Sequence, residues 1–410
     1  MSNFTLWYEK QNLSNGVLQE DHNYGAIYTE QILPFKLQRH SISFEKKIIN
    51  EDIINYDNLN CFVVEIKYVK KFEGTLSSLC ETVLNFIKKN NIKIVFHYAK
   101  EGYKLDHDLK NLYRELRSAN LLDCKTFLIF GDQDIDKNYH KSIEKNNLPD
   151  FFTKVFPINF FESHYLDTLD DLNEDYSTNL SIDNDKKKDF LFYNGKIRIH
   201  RLLSHKEITK RKLDKAGLIS FIGDTHVTTE HSIDFYKEEL QSLNLLDNDM
   251  QNYLNSWQPI YLDKKGSEFT YHNQNKTVID HYAKTHLSLV SEMSITTRFF
   301  TEKIYKPILN RHPFLILGGQ RFLEILQSDG YYTFPEIFNE DYDNEPDPKL
   351  RVLKVIDELE KFCSLSSAEK QEKIKQVRFK LDYNREHFLE RATTSMRDQY
   401  LNIMQIIYES

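Results

Sequence analysis

Apolar and polar positions along the chain fall into two rounds of strand followed by helix. The first fifty or so residues show no clear period. From Asn60 the pattern becomes regular. Cys61–Val69 (CFVVEIKYV) reads as a strand, and Leu76–Lys89 as a helix with apolar positions at Leu76, Leu79, Val83, Leu84 and Ile87. Ile92–Tyr98 is a second strand, Asp106–Ala119 an amphipathic helix, and Thr126–Gly131 a third strand running into the loop Gly131-Asp-Gln-Asp134. A further helix and the apolar segment Phe152–Ile158 follow. The alternation restarts with a strand at Asp189–Tyr193, turns at Asn194-Gly195, and continues in a long basic helix over Ile197–Ala216, for which Gly217 is a natural C-cap. Strands at Leu218–Ile222, His286–Val290 and Pro313–Leu317 alternate with helices around Ser232–Leu245, Phe300–Arg311 and Arg321–Ser328. From Leu350 the chain reads as mostly helical.

Strands alternating with helices at this spacing predict parallel βαβ units. The stretches Asp167–Asp175 and Ser181–Lys188 are acidic, then basic, with little to bury, and the domain boundary is expected there. The expected architecture is α/β, with two Rossmann-like domains facing one another across a cleft. Residues 1–180 form the first, 186–385 the second, and 386–410 a C-terminal helix. Ligands of such sheets sit at the carboxyl ends of the strands.

Composition narrows this further. With 410 residues the chain is comfortable for two domains. Its formal net charge of -8 speaks against a protein that coats nucleic acid, while leaving room for a local basic pocket. Four scattered cysteines, none in a CxxC pair, argue against a cysteine-only zinc site and a disulfide framework. The N-terminus has no basic start followed by an apolar run, and no window offers 18 apolar residues, so neither a signal peptide nor a transmembrane helix is expected. A soluble, cytoplasmic protein is the expectation.

The segment His286–Asp343 is the richest in candidate chemistry. A strand ends at Ser291-Glu292, a polar loop follows, and Thr301-Glu-Lys-Ile-Tyr-Lys-Pro307 opens a helix that Thr301 can cap. A helix N-terminus presents free N–H groups and the positive end of a dipole, both suited to phosphate. Lys303 and Lys306, three apart, share a face and can meet a diphosphate. Glu302 or Glu292 offers an acceptor for ribose hydroxyls. A capped surface helix with solvated lysines accounts for the same residues.

The run TEKIYKPILNRHPFLILGG resembles the donor-binding motif of GT-B glycosyltransferases related to fucosyltransferases. Gly330-Tyr-Tyr-Thr-Phe334, Asn339-Glu-Asp-Tyr-Asp343 and Phe192-Tyr-Asn-Gly-Lys-Ile-Arg-Ile-His-Arg201 are similar to segments of glycosyltransferase-like proteins of phages and marine bacteria. The likeness is specific over about 60 residues, extends over Asp189–Glu390, and is weak in the N-terminal half. It implies that Glu302 and Lys303 contact the nucleotide of a sugar donor. It also implies that an arginine, Arg198 or Arg201, offsets the charge of the leaving group. Arg suits phosphate through its planar fork. A plain basic helix face, continued by His205, Lys206, Lys210, Arg211, Lys212 and Lys215, explains the same pair. In this family a C-terminal helix often crosses back onto the N-terminal domain. The amphipathic positions Phe388, Leu389, Met396, Tyr400, Ile403 and Ile406 are compatible with that and with a packed bundle end.

An acceptor hydroxyl attacking in an inverting transfer needs a base. Glu101, beside Gly102 past the strand Ile92–Tyr98, is the candidate, with His97 as runner-up. An exposed loop charge and a half-buried strand histidine are the ordinary alternatives. Asp132 and Asp134 are further rim candidates. Asp132-Gln-Asp134 and Asp134-Ile-Asp136 match Asp-x-Asp formally, a very weak signal in a chain with 62 acidic residues. Walker A, GxGxxG, HExxH and GxSxG are absent.

The expectation is a glycosyltransferase with no cofactor beyond its nucleotide-diphosphate sugar, and the resemblance implies that it is inverting and metal-independent. Arg198, Arg201, Glu292, Thr301, Glu302, Lys303 and Lys306 bind the donor, and Glu101 or His97 activates a glycan, lipid-linked or protein hydroxyl. One alternative is a phage-type transferase acting on a modified DNA base. Another is a nucleotide-sugar-binding protein without catalysis.

Overall fold

The computed structural model describes residues 4–8, 44–48, 59–65, 76, 79, 81–98, 105–171, 174–176, 186–223, 233–242, 244–262 and 278–410. The chain divides into two units: Met1–Phe160 with Thr393–Ser410, and Phe161–Ala392.

The first unit is built on strands β1 (Phe4–Tyr8), β2 (Phe44–Ile48), β3 (Leu59–Glu65), β4 (Lys93–Tyr98), β5 (Thr126–Phe130) and β6 (Lys154–Pro157). They form one sheet in the order β2-β1-β3-β4-β5-β6, parallel throughout. Its helices are α1 (Glu81–Lys89), α2 (Leu105–Ser118) and α3 (Ile135–Lys145). Every residue of β5 is buried, as expected of a parallel strand covered on both faces. Leu109, Leu112 and Leu116 of α2, at helical spacing, pack into the same core as Phe96 and Leu128. The helix expected from Leu76 begins only at Glu81. Leu76 is buried instead in a turn, where its N–H donates to the Glu115 carboxylate at 3.0 Å.

The second unit opens with α4 (Phe160–Asp171). Tyr165, Leu166 and Leu169 of α4 pack in the core of this unit. Strands β7 (Lys188–Asn194), β8 (Gly217–Phe221), β9 (Thr285–Ser291) and β10 (Phe314–Leu317) form a parallel sheet in the order β10-β9-β7-β8. The helices that follow are α5 (Ile199–Lys210), α6 (Ile233–Ser242), α7 (Asn248–Ser256), α8 (Ile279–Lys284), α9 (Glu302–Leu309), α10 (Phe322–Ser328), α11 (Pro348–Ser364), α12 (Ser367–Gln376) and α13 (Arg378–Glu409). The expected architecture of two parallel α/β units holds. Gly217 does not cap the long basic helix, although it is the C-cap residue of a short 3-10 helix. The long basic helix stops at Lys210, a 3-10 turn occupies Asp214–Ala216, and Gly217 starts β8 in extended conformation. A Cβ there would lie 2.4 Å from the Phe190 ring, so close packing is what this glycine serves.

Helix α13 is continuous, with its residues up to Ala392 in the second unit and those from Thr393 in the first. Its end is fastened to the first sheet. Lys93 of β4 donates to the carbonyls of Ile407 and Tyr408, and Lys125 to that of Ser410. Among the described residues no helix is long and apolar enough to cross a membrane.

Candidate functional site

Strands β7 and β9 are neighbours and parallel, so the segments after them emerge at the same sheet edge. Helix α5 follows β7 and α9 follows β9. Six of the seven donor-side candidates lie at these strand ends and helix starts: Arg198 and Arg201 at α5, Glu292 just past β9, and Thr301, Glu302 and Lys303 at α9, with Lys306 in the last turn of α9.

Thr301 is the N-cap of α9. Its hydroxyl oxygen accepts from the Lys303 N–H at 3.3 Å and from Lys303 Nζ at 3.2 Å, and its O–H donates to Glu292. Lys303 Nζ also meets Glu302 at 2.9 Å. Burial pushes the Glu292 carboxyl up to about 7 against the opposing pull of Lys303 and Thr301. For Glu302 burial works the same way, but Lys303 and Lys306 overcome it and hold the carboxyl at about 2. Burial lowers Lys306 to about 8, with Glu302 opposing. The cluster thus couples two carboxyls of opposite tendency to Lys303 and Lys306 of one helix.

Arg201 takes a different role from the one expected of a surface fork. It is 3 % exposed, and its guanidinium donates to Ser291 Oγ at 3.2 Å and to the carbonyls of Lys196 at 2.9 Å, Ser291 at 3.2 Å and Glu292 at 3.2 Å. It braces the two strand ends. Arg198, the N-cap residue of α5, is half-buried and is the more accessible of the two. His200, which the sequence pattern does not single out, is buried between them, and its Nε2 donates to the Glu292 carbonyl at 2.9 Å. Burial and the neighbouring Arg201 lower its imidazole to about 3, so it is neutral.

Lys206 and Lys210 of α5 and its C-cap residue Arg211 form no free stripe. Lys206 faces Glu207 and Asp247, Lys210 pairs with Asp249 at 3.0 Å, and Arg211 reaches Asp357 at 2.6 Å and Glu360 at 2.9 Å. The motif tail is framework. Glu340 accepts from Thr333 and from the Phe334 N–H, and Asp343 accepts from the N–H groups of Phe322 and Leu323 in the first turn of α10.

On the first unit, Glu101 lies outside the described residues. His97 is 0 % exposed, with Nε2 3.0 Å from the Tyr400 hydroxyl of α13. Its environment is that of a core histidine. Asp132 accepts from the Asp134 N–H at 3.0 Å and from Asn138 Nδ2 at 2.8 Å, shaping the turn into α3. Asp136 lies within α3, opposite His140.

Family models give no match to the chain, and a search of curated proteins gives none either. Among solved structures, the chain is similar to a UDP-forming α,α-trehalose-phosphate synthase from Burkholderia xenovorans at 10 % identity, 99 % coverage of each chain and a TM-score of 0.42. A second synthase of that type, from Burkholderia vietnamiensis, is similar at 8 % identity, full coverage of both chains and a TM-score of 0.40. An α1,3-fucosyltransferase is similar at 10 % identity, with 93 % of this chain and 90 % of that one covered and a TM-score of 0.29.

Proposed function

We propose that the second unit binds a nucleoside diphosphate at the carboxyl edge of its sheet. On this reading the protein is a glycosyltransferase that uses a nucleotide-diphosphate sugar. The observation that carries it is the convergence of the starts of α5 and α9, which follow adjacent parallel strands: Lys303 acts on both Glu292 and Glu302, Lys306 acts on Glu302, and Arg198 and Lys303 both act on His200. Helix dipoles, free N–H groups and lysines are the groups that hold a diphosphate, and a carboxylate suits the ribose diol. Arg201 and His200 support the site by fixing the backbone after β9.

In the proposed reaction the acceptor oxygen bonds to the anomeric carbon and the carbon–oxygen bond to the diphosphate breaks. The acceptor proton passes to a base, and the nucleoside diphosphate departs with its charge stabilised by the cationic groups. Inversion follows from a single displacement. Glu101 is retained as the base, since His97 is enclosed under Tyr400. The acceptor is a hydroxyl of a glycan, lipid-linked molecule or protein. The acidic partners along α5 speak against the duplex-DNA alternative. No metal is required in this scheme.

Thermal unfolding with UDP, GDP, CMP and ADP and their sugar conjugates tests the reading. A ligand at 100 times its dissociation constant adds about 2.7 kcal/mol. One nucleotide family is expected to raise the midpoint by several degrees, and Lys303→Ala to abolish the rise. No rise with any of them would overturn the proposal.

A further inference from the structure

Buried polar groups in the second unit are, with few exceptions, matched. Arg201 reaches four acceptors, and both ring nitrogens of His312 are engaged, by Ser288 at 2.8 Å and the Thr285 carbonyl at 2.7 Å. Asn194, the last residue of β7, departs from this. It is 2 % exposed, and neither its Oδ1 nor its Nδ2 has a hydrogen-bond partner among the described residues. Its main-chain carbonyl accepts from the Ile222 N–H at 3.0 Å beside β8. Two more buried polar atoms without partners among the described residues stand at the same sheet edge. One is Thr297 Oγ1, in the turn after β9, and the other is Trp257 Nε1. The Trp257 ring packs on Phe221 at the end of β8, 5.3 Å between centroids.

A buried amide unsatisfied at both atoms is destabilising, and native proteins rarely keep one without a use. A primary amide is neutral and offers a donor and an acceptor side by side. It is unsuited to a diphosphate, which would face its carbonyl oxygen. It matches a neutral edge that itself carries a donor beside an acceptor, such as the imide edge of a nucleobase or a pair of sugar hydroxyls. The anionic part of a donor has its own groups at α5 and α9.

We propose that Asn194 is a specificity-determining residue that hydrogen-bonds the neutral, non-phosphate part of the nucleotide donor through its side-chain amide. This rests on the donor-site reading given above.

The test compares wild type with Asn194→Ala and with the near-isosteric Asn194→Leu, using UDP, GDP, their 2′-deoxy forms, their sugar conjugates, and inorganic pyrophosphate. Each protein is first melted without ligand. The variants are expected to unfold at or above the wild-type midpoint, because an unmatched amide has been removed. Affinity for the nucleotide that wild type prefers is expected to fall tenfold or more, while pyrophosphate binding is retained. A loss that disappears with the 2′-deoxy form assigns the contact to the ribose. One that persists assigns it to the base, and one seen only with the conjugate assigns it to the sugar. Affinity unchanged in both variants for the nucleotide and its sugar conjugate alike overturns the inference while leaving the donor site standing. So does a lowered midpoint with equal loss of pyrophosphate, which marks a structural amide. No binding of any probe to wild type overturns the donor site itself.

Discussion

Glu292 shows how a single buried group sets the behaviour of the site. It is 0 % exposed, and burial raises its carboxyl to about 7. A carboxyl raised on folding is held protonated in the native state, so its contribution is present below the ordinary value near 4.5 and is lost as pH climbs through about 7. The loss is about 3 kcal/mol at most. Glu292→Gln cannot ionise and keeps an acceptor for the Thr301 hydroxyl. It is expected to equal wild type in urea unfolding at pH 5 and to exceed it by up to about 3 kcal/mol at pH 8. A variant less stable than wild type at pH 8 would mean that Lys303 and Arg201 stabilise the ionised form outright. The candidacy of Thr301, Glu302 and Lys303 was legible because capping residues and a basic pair one turn apart leave a local imprint. The bracing role of Arg201 and the orphaned amide of Asn194 were not. Both depend on which groups the folded chain brings opposite them, and no local spacing encodes that.

At the level of elements, the legible ones carry their own period. Strands β4 and β5 and helix α2 appear within a residue or two of their expected ends. Strand β2 (FEKKI) has an apolar residue at each end only, and β1 (FTLWY) is short, so neither stands out before β3 pairs with β1. Helix α10 shows a cap supplied from a distance. Its N-cap residue, Arg321, has φ 59° and no side-chain cap, and Asp343 serves the first turn from twenty residues further on. Asp343→Ala leaves two buried N–H groups unmatched and is expected to cost about 2–4 kcal/mol. Asp343→Asn, which keeps one acceptor, should recover about half of that. Chemical denaturation of the three proteins checks the order, and an Ala variant within about 0.5 kcal/mol of wild type would assign the capping to another group.

On the scale of the whole chain, the C-terminal eighteen residues belong to the first unit although the rest of α13 belongs to the second. They bury Met396, Tyr400, Ile403, Met404 and Ile407, all at 4 % exposure or less. At roughly 1.5–3 kcal/mol for each large apolar side chain removed from water, these five contribute about 8–15 kcal/mol. That matches the entire stability of an ordinary domain, about 5–15 kcal/mol. The hydrogen bond between His97 and Tyr400 and those from Lys93 and Lys125 to the helix end are lost with them. A chain ending at Ala392 is therefore expected to contain a folded second unit and an unfolded first one. Amide hydrogen exchange should show β4 and β5 exchanging freely while β7 and β9 keep wild-type protection. Protection of β4 and β5 in the truncated chain would show that the first sheet holds its core without the end of α13.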